Sequence, residues 1–138
     1  MDNITVVEKI VDYIEIHLDE DLSLDRIAND LNYSKFYIAR IFSEKTGGTI
    51  YKYIQARRLT VAAQKLIETQ KPIIEIAYEA QYNSQQAFTL AFNRVYLCTP
   101  QTYRRNGIFY PKQVRIGMKS SLLYYLYTNY MWGGKNVA

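Results

Sequence analysis

The chain of 138 residues has one cysteine, Cys98, and one histidine, His17. A lone cysteine excludes an internal disulfide, and the pair together offers too few ligands for a structural zinc site. Long apolar runs are missing as well. The N-terminus holds no hydrophobic stretch suited to a signal peptide, and no 18-residue apolar segment occurs anywhere. These absences predict a protein of the bacterial cytoplasm with no membrane partner. Six glycines and three prolines leave no low-complexity or Gly/Ser-rich linker. Also missing are a P-loop, a dinucleotide-binding glycine pattern, a metal-ligand cluster and a Ser/His/Asp constellation, so neither an enzyme nor a cofactor site is expected.

What is present is a hydrophobic content of 49%, ample for a core in one domain or in two small subdomains that share a helix. The net charge of +4 is unevenly spread. Residues 1–31 hold nine acids against two bases, −7, and residues 32–138 hold four acids against fifteen bases, +11. A basic body behind an acidic first segment suits a polyanionic partner on one face. It suits equally a solvated acidic helix on an ordinary protein.

The stretch SQQAFTLAFNRVYLCTPQTYRR, residues 84–105, discriminates better. Ser84 is a helix cap, after which Phe88, Ala91, Phe92 and Val95 fall on one face at helical spacing. Gln85, Gln86, Thr89, Leu90 and Asn93 fall on the other. Thr99-Pro100 reads as a cap followed by proline at the first helical position, opening a helix that carries Tyr103, Arg104 and Arg105. Upstream, PIIEIAYEAQYN supplies a short helix with Ile73, Ile76, Ala77 and Ala80 inward, then a tight turn. A short helix, a turn and a second helix with amides outward make a helix-turn-helix, with 84–96 as recognition helix.

The pattern occurs twice. A shift of 50 superimposes Ser34 on Ser84, Ile38 on Phe88, Phe42 on Phe92, Thr49 on Thr99 and Tyr53 on Tyr103, and a shift of 49 superimposes Ile27-Ala28 on Ile76-Ala77. An internal repeat is stronger evidence than either motif alone. In the first unit, Ser23 caps the helix 23–31, and Ala28 is the small residue where two helices cross. Asn32 occupies a turn that calls for left-handed backbone. Residues 34–46 form the first recognition helix, with Tyr37, Ile38, Ile41 and Phe42 inward and Lys35, Phe36, Ala39, Arg40 and Ser43 outward; Gly47-Gly48 stops it.

Before the first unit, residues 3–18 read as an amphipathic helix with Ile4, Val7, Val11, Ile14 and Leu18 in a stripe. His17 and the neighbouring acids read as a solvated face without partners. Between the units, residues 49–70 predict one long helix, free of glycine and proline, that packs on both. Its 22 residues would span about 33 Å, close to the ~34 Å of one turn of B-DNA. Tyr53 and Tyr103 are core positions. In the remainder, 114–117 alternates like a strand, and the aromatic-rich 122–132 is too short to span a bilayer; it suits a docked helix, a self-association surface or the start of a further domain.

IARIFSEKTGGTIYKYIQARRL and IAYEAQYNSQQAFTLAFNRVYLCTPQTYRR resemble the paired helix-turn-helix domain of AraC/XylS transcription regulators, a resemblance covering roughly residues 4–106. It implies an all-α fold of about seven helices: a first subdomain (1–48), a linker helix (49–70) and a second subdomain (71–106), followed by an extension (107–138). It implies binding to asymmetric double-stranded promoter DNA in the bacterial nucleoid, and activation by contact with RNA polymerase. Base-reading positions carry over to Phe36, Ala39 and Arg40 in the first recognition helix and to Gln85, Gln86 and Leu90 in the second. All six lie on the outward faces derived above. Backbone contacts are expected from Ser34, Lys35, Ser43, Lys52, Arg57, Arg58, Ser84, Thr89, Asn93, Arg104 and Arg105. Ala39 and Leu90 stand where relatives carry glutamine and arginine, and Gln81 replaces a turn glycine, so the relatives' target sequence does not transfer. A monomer or weak dimer is expected, with self-association through 107–138. The alternative function is a regulatory module that binds a ligand or protein through that extension, with DNA binding secondary.

Overall fold

A computed structural model describes residues 3–117. Over that span the chain forms seven α-helices: α1 (Asn3–Ile16), α2 (Leu24–Leu31), α3 (Lys35–Thr46), α4 (Ile50–Glu68), α5 (Ile73–Glu79), α6 (Gln85–Tyr96) and α7 (Pro100–Asn106). The described residues contain no strand, so the alternation at 114–117 marks an irregular segment. The aromatic stretch 122–132 lies outside the described residues.

Side-chain caps set most of the helix starts. The hydroxyl oxygens of Ser23, Ser34, Thr49, Ser84 and Thr99 accept the N–H of Arg26, Tyr37, Lys52, Ala87 and Thr102, at 3.0 to 3.2 Å. Each satisfies one donor that an α-helix leaves unpaired at its first turn. Left-handed residues close the other ends: Asn32 (φ 62°) after α2, Gly47 (φ 79°) after α3 and Leu97 (φ 60°) after α6. Gln81 (φ 68°) follows α5. The second unit thus uses Gln81 and Leu97 at the repeat positions where the first has Asn32 and Gly47. Side chains with a Cβ are strained there.

The core divides into two clusters, both anchored on α4. The first joins Val6, Val7, Ile10, Val11 and Ile14 of α1 to Ile27, Ala28, Ile38, Ile41 and Phe42, and takes Ile50, Tyr53 and Ile54 from α4. The second joins Ile76, Ala77, Phe88, Phe92 and Tyr103 to Leu59, Ala62, Ala63 and Leu66 of the same helix. Phe88 and Phe92 are fully buried, and truncating either to alanine costs on the order of 3–5 kcal/mol. The repeat-matched residues Ala28 and Ala77 are both buried, as close helix crossing demands.

Three expectations change. The α1 stripe is rotated, so that Val6 and Ile10 are buried while Ile4 is exposed, and Leu18 lies beyond the helix end. Val95, expected inward, is exposed, because α6 meets its core through Phe88 and Phe92. The linker helix has 19 residues, Thr49 and Thr69 serving as its caps. Its length is therefore about 28 Å, short of one DNA turn.

Contrary to expectation, the N-terminal acids, though mostly exposed, do not lack partners. Glu15 forms a bidentate pair with Arg57 (2.8 and 3.0 Å), with side chains only 14% and 13% exposed. Glu20 binds Arg26 at 2.8 Å and His17 at 3.1 Å, and Asp12 pairs with Arg115. His17 is half-buried against the Tyr13 ring, 4.3 Å between centroids. Arg26 and His17 together hold the Glu20 carboxyl below its usual range.

Candidate nucleic-acid interface

Two surfaces carry the outward residues of α3 and α6. On α3, Phe36 is 77% exposed, and Arg40 and Ser43 are exposed beside it. The Arg40 guanidinium lies 5.6 Å from the Tyr37 ring centroid and 3.3 Å from the Glu44 carboxylate one turn on. Both contacts are at the surface, so they orient the fork without fixing it. Lys35 sits 5.6 Å from the Phe36 ring and 3.4 Å from Asp25. Ala39 is half-buried and lines an apolar notch with Leu24, Ile50 and Tyr51.

On α6, Gln85, Gln86, Thr89, Leu90 and Asn93 line one shallow open groove, capped at the near end by Ser84. Leu90 is 59% exposed, which places it on the outer face as its spacing predicts. The other wall of the groove comes from Ile74 and Tyr78 of α5, both exposed. Sequence reasoning missed these two. Their signal was an apolar pair at i, i+4 on the side of α5 opposite Ile76 and Ala77. The amides supply donors and acceptors in pairs, and Leu90, Ile74 and Tyr78 supply an apolar strip, the chemistry that base edges and thymine methyls present in a major groove.

Of the basic residues expected at phosphates, Lys35, Lys52 and Arg105 are exposed. Three others are engaged within the protein. Arg57 holds Glu15 and also donates to the Gln113 carbonyl at 2.6 Å. Arg58 donates to the carbonyls of Leu18 (2.9 Å) and Glu20 (2.6 Å), and desolvation draws its pKa down. Arg104 donates to the carbonyls of Leu66 (2.9 Å), Thr69 (3.3 Å) and Lys71 (2.7 Å). Folding brings these guanidinium groups to carbonyls left free at helix and loop ends, a use that sequence spacing does not reveal. The serines have double roles: Ser34 and Ser84 cap their helices through oxygen, which leaves each hydroxyl proton available for a ligand.

Among the described residues no group of three or more His, Cys, Asp or Glu side chains could hold a metal ion. Within the same span no helix is long and apolar enough to cross a membrane.

Two helix-turn-helix units on one shared helix, each with a polar recognition face outward, define a paired DNA-binding domain. A helix-turn-helix domain family model matches residues 27–106. The chain is 46% identical over 105 residues to the transposon Tn10 TetD protein of Escherichia coli, covering 76% of each chain. It is 38% identical over 99 residues to the regulatory protein SoxS of Salmonella typhimurium, covering 72% of this chain and 92% of that one. Identity to the right origin-binding protein of Escherichia coli K12 is 42% over 106 residues, 77% of this chain but 37% of that longer protein. Among solved structures, the C-terminal domain of AraT, a response regulator from Geobacillus stearothermophilus, superimposes with a TM-score of 0.69 at 29% identity, over 83% of this chain and 95% of that one. The chain belongs to the AraC/XylS family of DNA-binding transcription regulators. That membership places it among regulators rather than enzymes.

Proposed function

We propose that the chain binds promoter DNA as a monomer, placing α3 and α6 in adjacent major grooves about 10 bp apart, and activates transcription by contact with RNA polymerase in the bacterial cytoplasm, on the nucleoid. The observation that carries this reading is the repeat itself: two capped recognition helices, both with polar outer faces, joined through one uninterrupted helix. Two readers in one chain make a second copy unnecessary for a bipartite site. The xylose-binding transcription activator xylR, 30% identical with a TM-score of 0.69, is an activator that carries this fold, which supports the same direction of regulation here.

Phe36, Ala39 and Arg40 read bases from α3, and Gln85, Gln86 and Leu90 from α6. Ser34, Lys35, Ser43, Lys52, Ser84, Thr89, Asn93 and Arg105 contact the phosphate backbone. Arg57, Arg58 and Arg104 leave that set, because their donors are engaged on Glu15 and backbone carbonyls. The 28 Å linker removes length matching as an argument for adjacent grooves, so the geometry rests on the repeat. The two helices are not equivalent. Arg40 is a forked donor suited to guanine O6 and N7, while Leu90 at the superimposed position offers only apolar contact.

The test is selection of bound duplexes from a random library, followed by single-base variants of the selected site. Arg40→Ala should lose ~1–3 kcal/mol and relax preference at one base pair. Leu90→Ala should cost less and act at a thymine, without unfolding the protein, since Leu90 is exposed. A footprint confined to one half-site, unchanged when α6 is disrupted, overturns the paired reading.

A further inference from the structure

The repeat, its caps and its recognition faces leave residues 107–117 without a role. Gly107 (φ 72°) ends α7 in the left-handed conformation and turns the chain back along α4. The returning segment then touches both cores: Phe109 packs against the second cluster and Ile116 against the first. Seven residue steps of extended chain reach at most ~25 Å, comparable to the length of α4 itself.

Its backbone is held at four points. The N–H of Tyr110 donates to the Tyr103 hydroxyl at 2.7 Å, that of Gln113 to the Thr60 hydroxyl at 2.9 Å, and that of Ile116 to the Tyr53 hydroxyl at 3.0 Å. The Gln113 carbonyl accepts from Arg57, which also holds Glu15 of α1. Tyr53 and Tyr103 are the repeat-equivalent tyrosines, so each unit presents the same hydroxyl to the same strap. Thr60 lies between them on α4, is 3% exposed, and is the one buried polar side chain among the described residues. Beyond the segment's middle, Arg115 reaches Asp12 of α1.

Three of the four anchors fall on the Tyr53–Arg57–Thr60 stripe of α4, and the fourth, Tyr103, lies on α7. The units also touch directly away from it, where the Gln81 side chain donates to the Asp19 carbonyl at 2.6 Å. A helix with a small domain at each end can bend or twist; with the Gln81–Asp19 contact on one side, a brace along another line would limit the freedom that remains.

We propose that residues 108–117 are an inter-subdomain brace, positioned by the hydroxyls of Tyr53, Thr60 and Tyr103, that fixes the angle between the two recognition helices and thereby the half-site spacing the protein accepts. The spacing part of this proposal rests on the adjacent-groove reading; the angular part does not. The brace raises the effective concentration of the second helix at its half-site once the first is bound. Changing the spacing by one base pair moves that half-site by about 3.4 Å and rotates it by about 34°. A braced protein cannot follow such a change.

The experiment uses the full chain in a Cys98→Ser background, with spin labels at Lys45→Cys and Gln101→Cys, one in each unit. The double variant Tyr53→Phe/Thr60→Val removes two acceptors while keeping shape. Gln113→Pro removes the backbone donor to Thr60, together with the side-chain amide that donates to the Val114 carbonyl, without touching the core, and Thr60→Ser keeps the acceptor. The expected result is a narrow label-to-label distance distribution for the parent and for Thr60→Ser, and a broad one for the double variant and for Gln113→Pro. Affinity for the selected site should fall about tenfold in the two broad variants. Their affinity for isolated half-sites should stay within about twofold, and their penalty for one base pair of added spacing should shrink. Equal distribution widths in all forms overturn the brace. A broadened distribution in variants of a parent that is itself indifferent to half-site spacing overturns the adjacent-groove reading, and with it the brace's part in DNA recognition.

Discussion

Arg104 and Arg105 are neighbours of the same type on one short helix, and the structure places one against backbone carbonyls and the other in solvent. Arg104 is half-buried, and its fork spans the carbonyls of Leu66, Thr69 and Lys71 at the C-terminal end of α4 and the loop beyond. Such carbonyls lack helical partners, and the helix dipole places partial negative charge there. A hydrogen bond from a charged donor contributes roughly 1.5–3 kcal/mol. Two of the three are short, so the gross contribution is about 3–6 kcal/mol. Because the site is only half-buried, water replaces part of this in the truncated protein. Arg104→Ala should therefore destabilise by about 2–3 kcal/mol. Arg105 is exposed, and Arg105→Ala should lie within ~0.5 kcal/mol of the parent. Urea titrations followed by circular dichroism at 222 nm measure both. A companion titration of DNA affinity against salt separates the roles again. Arg105→Ala should reduce the slope of log K on log salt by about 1, and Arg104→Ala should leave it unchanged where the protein is folded. If Arg104→Ala is as stable as Arg105→Ala and also lowers the slope, the guanidinium serves a phosphate and the assignment made from its three carbonyls is wrong.

Two further outcomes follow from the local geometry. Leu97 is 83% exposed in a left-handed conformation that the first unit gives to Gly47; Leu97→Gly should raise stability by ~0.5–1 kcal/mol, strain relief exceeding the added freedom of the unfolded chain, and a loss in thermal melting would show that no strain is stored there. Glu79 accepts from Lys65 at 2.8 Å and Lys71 at 2.7 Å, and these bonds hold its carboxyl below the ordinary value of 4.5. Its stabilisation is complete above that ordinary value and is lost as pH falls through the depressed one, so the gap between the parent and Glu79→Gln should be constant near neutrality and close below pH 4.5; a gap that persists unchanged into acid would refute the role of the charge.

Much of the fold was legible because its signals are local. Caps at Ser23, Ser34, Thr49, Ser84 and Thr99, the stops at Asn32 and Gly47-Gly48, and the 3.6-residue spacing of Phe88 and Phe92 act within one or two helical turns. The repeat multiplied their weight. Outer faces follow from inner ones, and so Phe36, Arg40, Gln86 and Leu90 could be placed on the surface without coordinates. The rotation of α1 was not legible, because a helix rich in Ile and Val on several sides fits more than one stripe, and only packing against α2 and α3 selects Val6 and Ile10 over Ile4.

Charge was where sequence reasoning went furthest astray. A basic residue on a predicted helix looks the same whether it meets solvent, a phosphate or a carbonyl brought from forty residues away. Folding decided that Arg57 would meet Glu15, that Arg58 would reach Leu18 and Glu20, and that Arg104 would close the end of α4. Tyr53 and Tyr103 show the same division within single side chains. Their rings belong to the cores that hydrophobic spacing foretold, while their hydroxyls meet backbone donors of Ile116 and Tyr110. Periodicity and capping are properties of neighbours along the chain, and the sequence determined them alone. Which hydroxyl, carboxylate or carbonyl stands opposite a given donor is set by distances between segments far apart in the chain, and tertiary structure alone decided that.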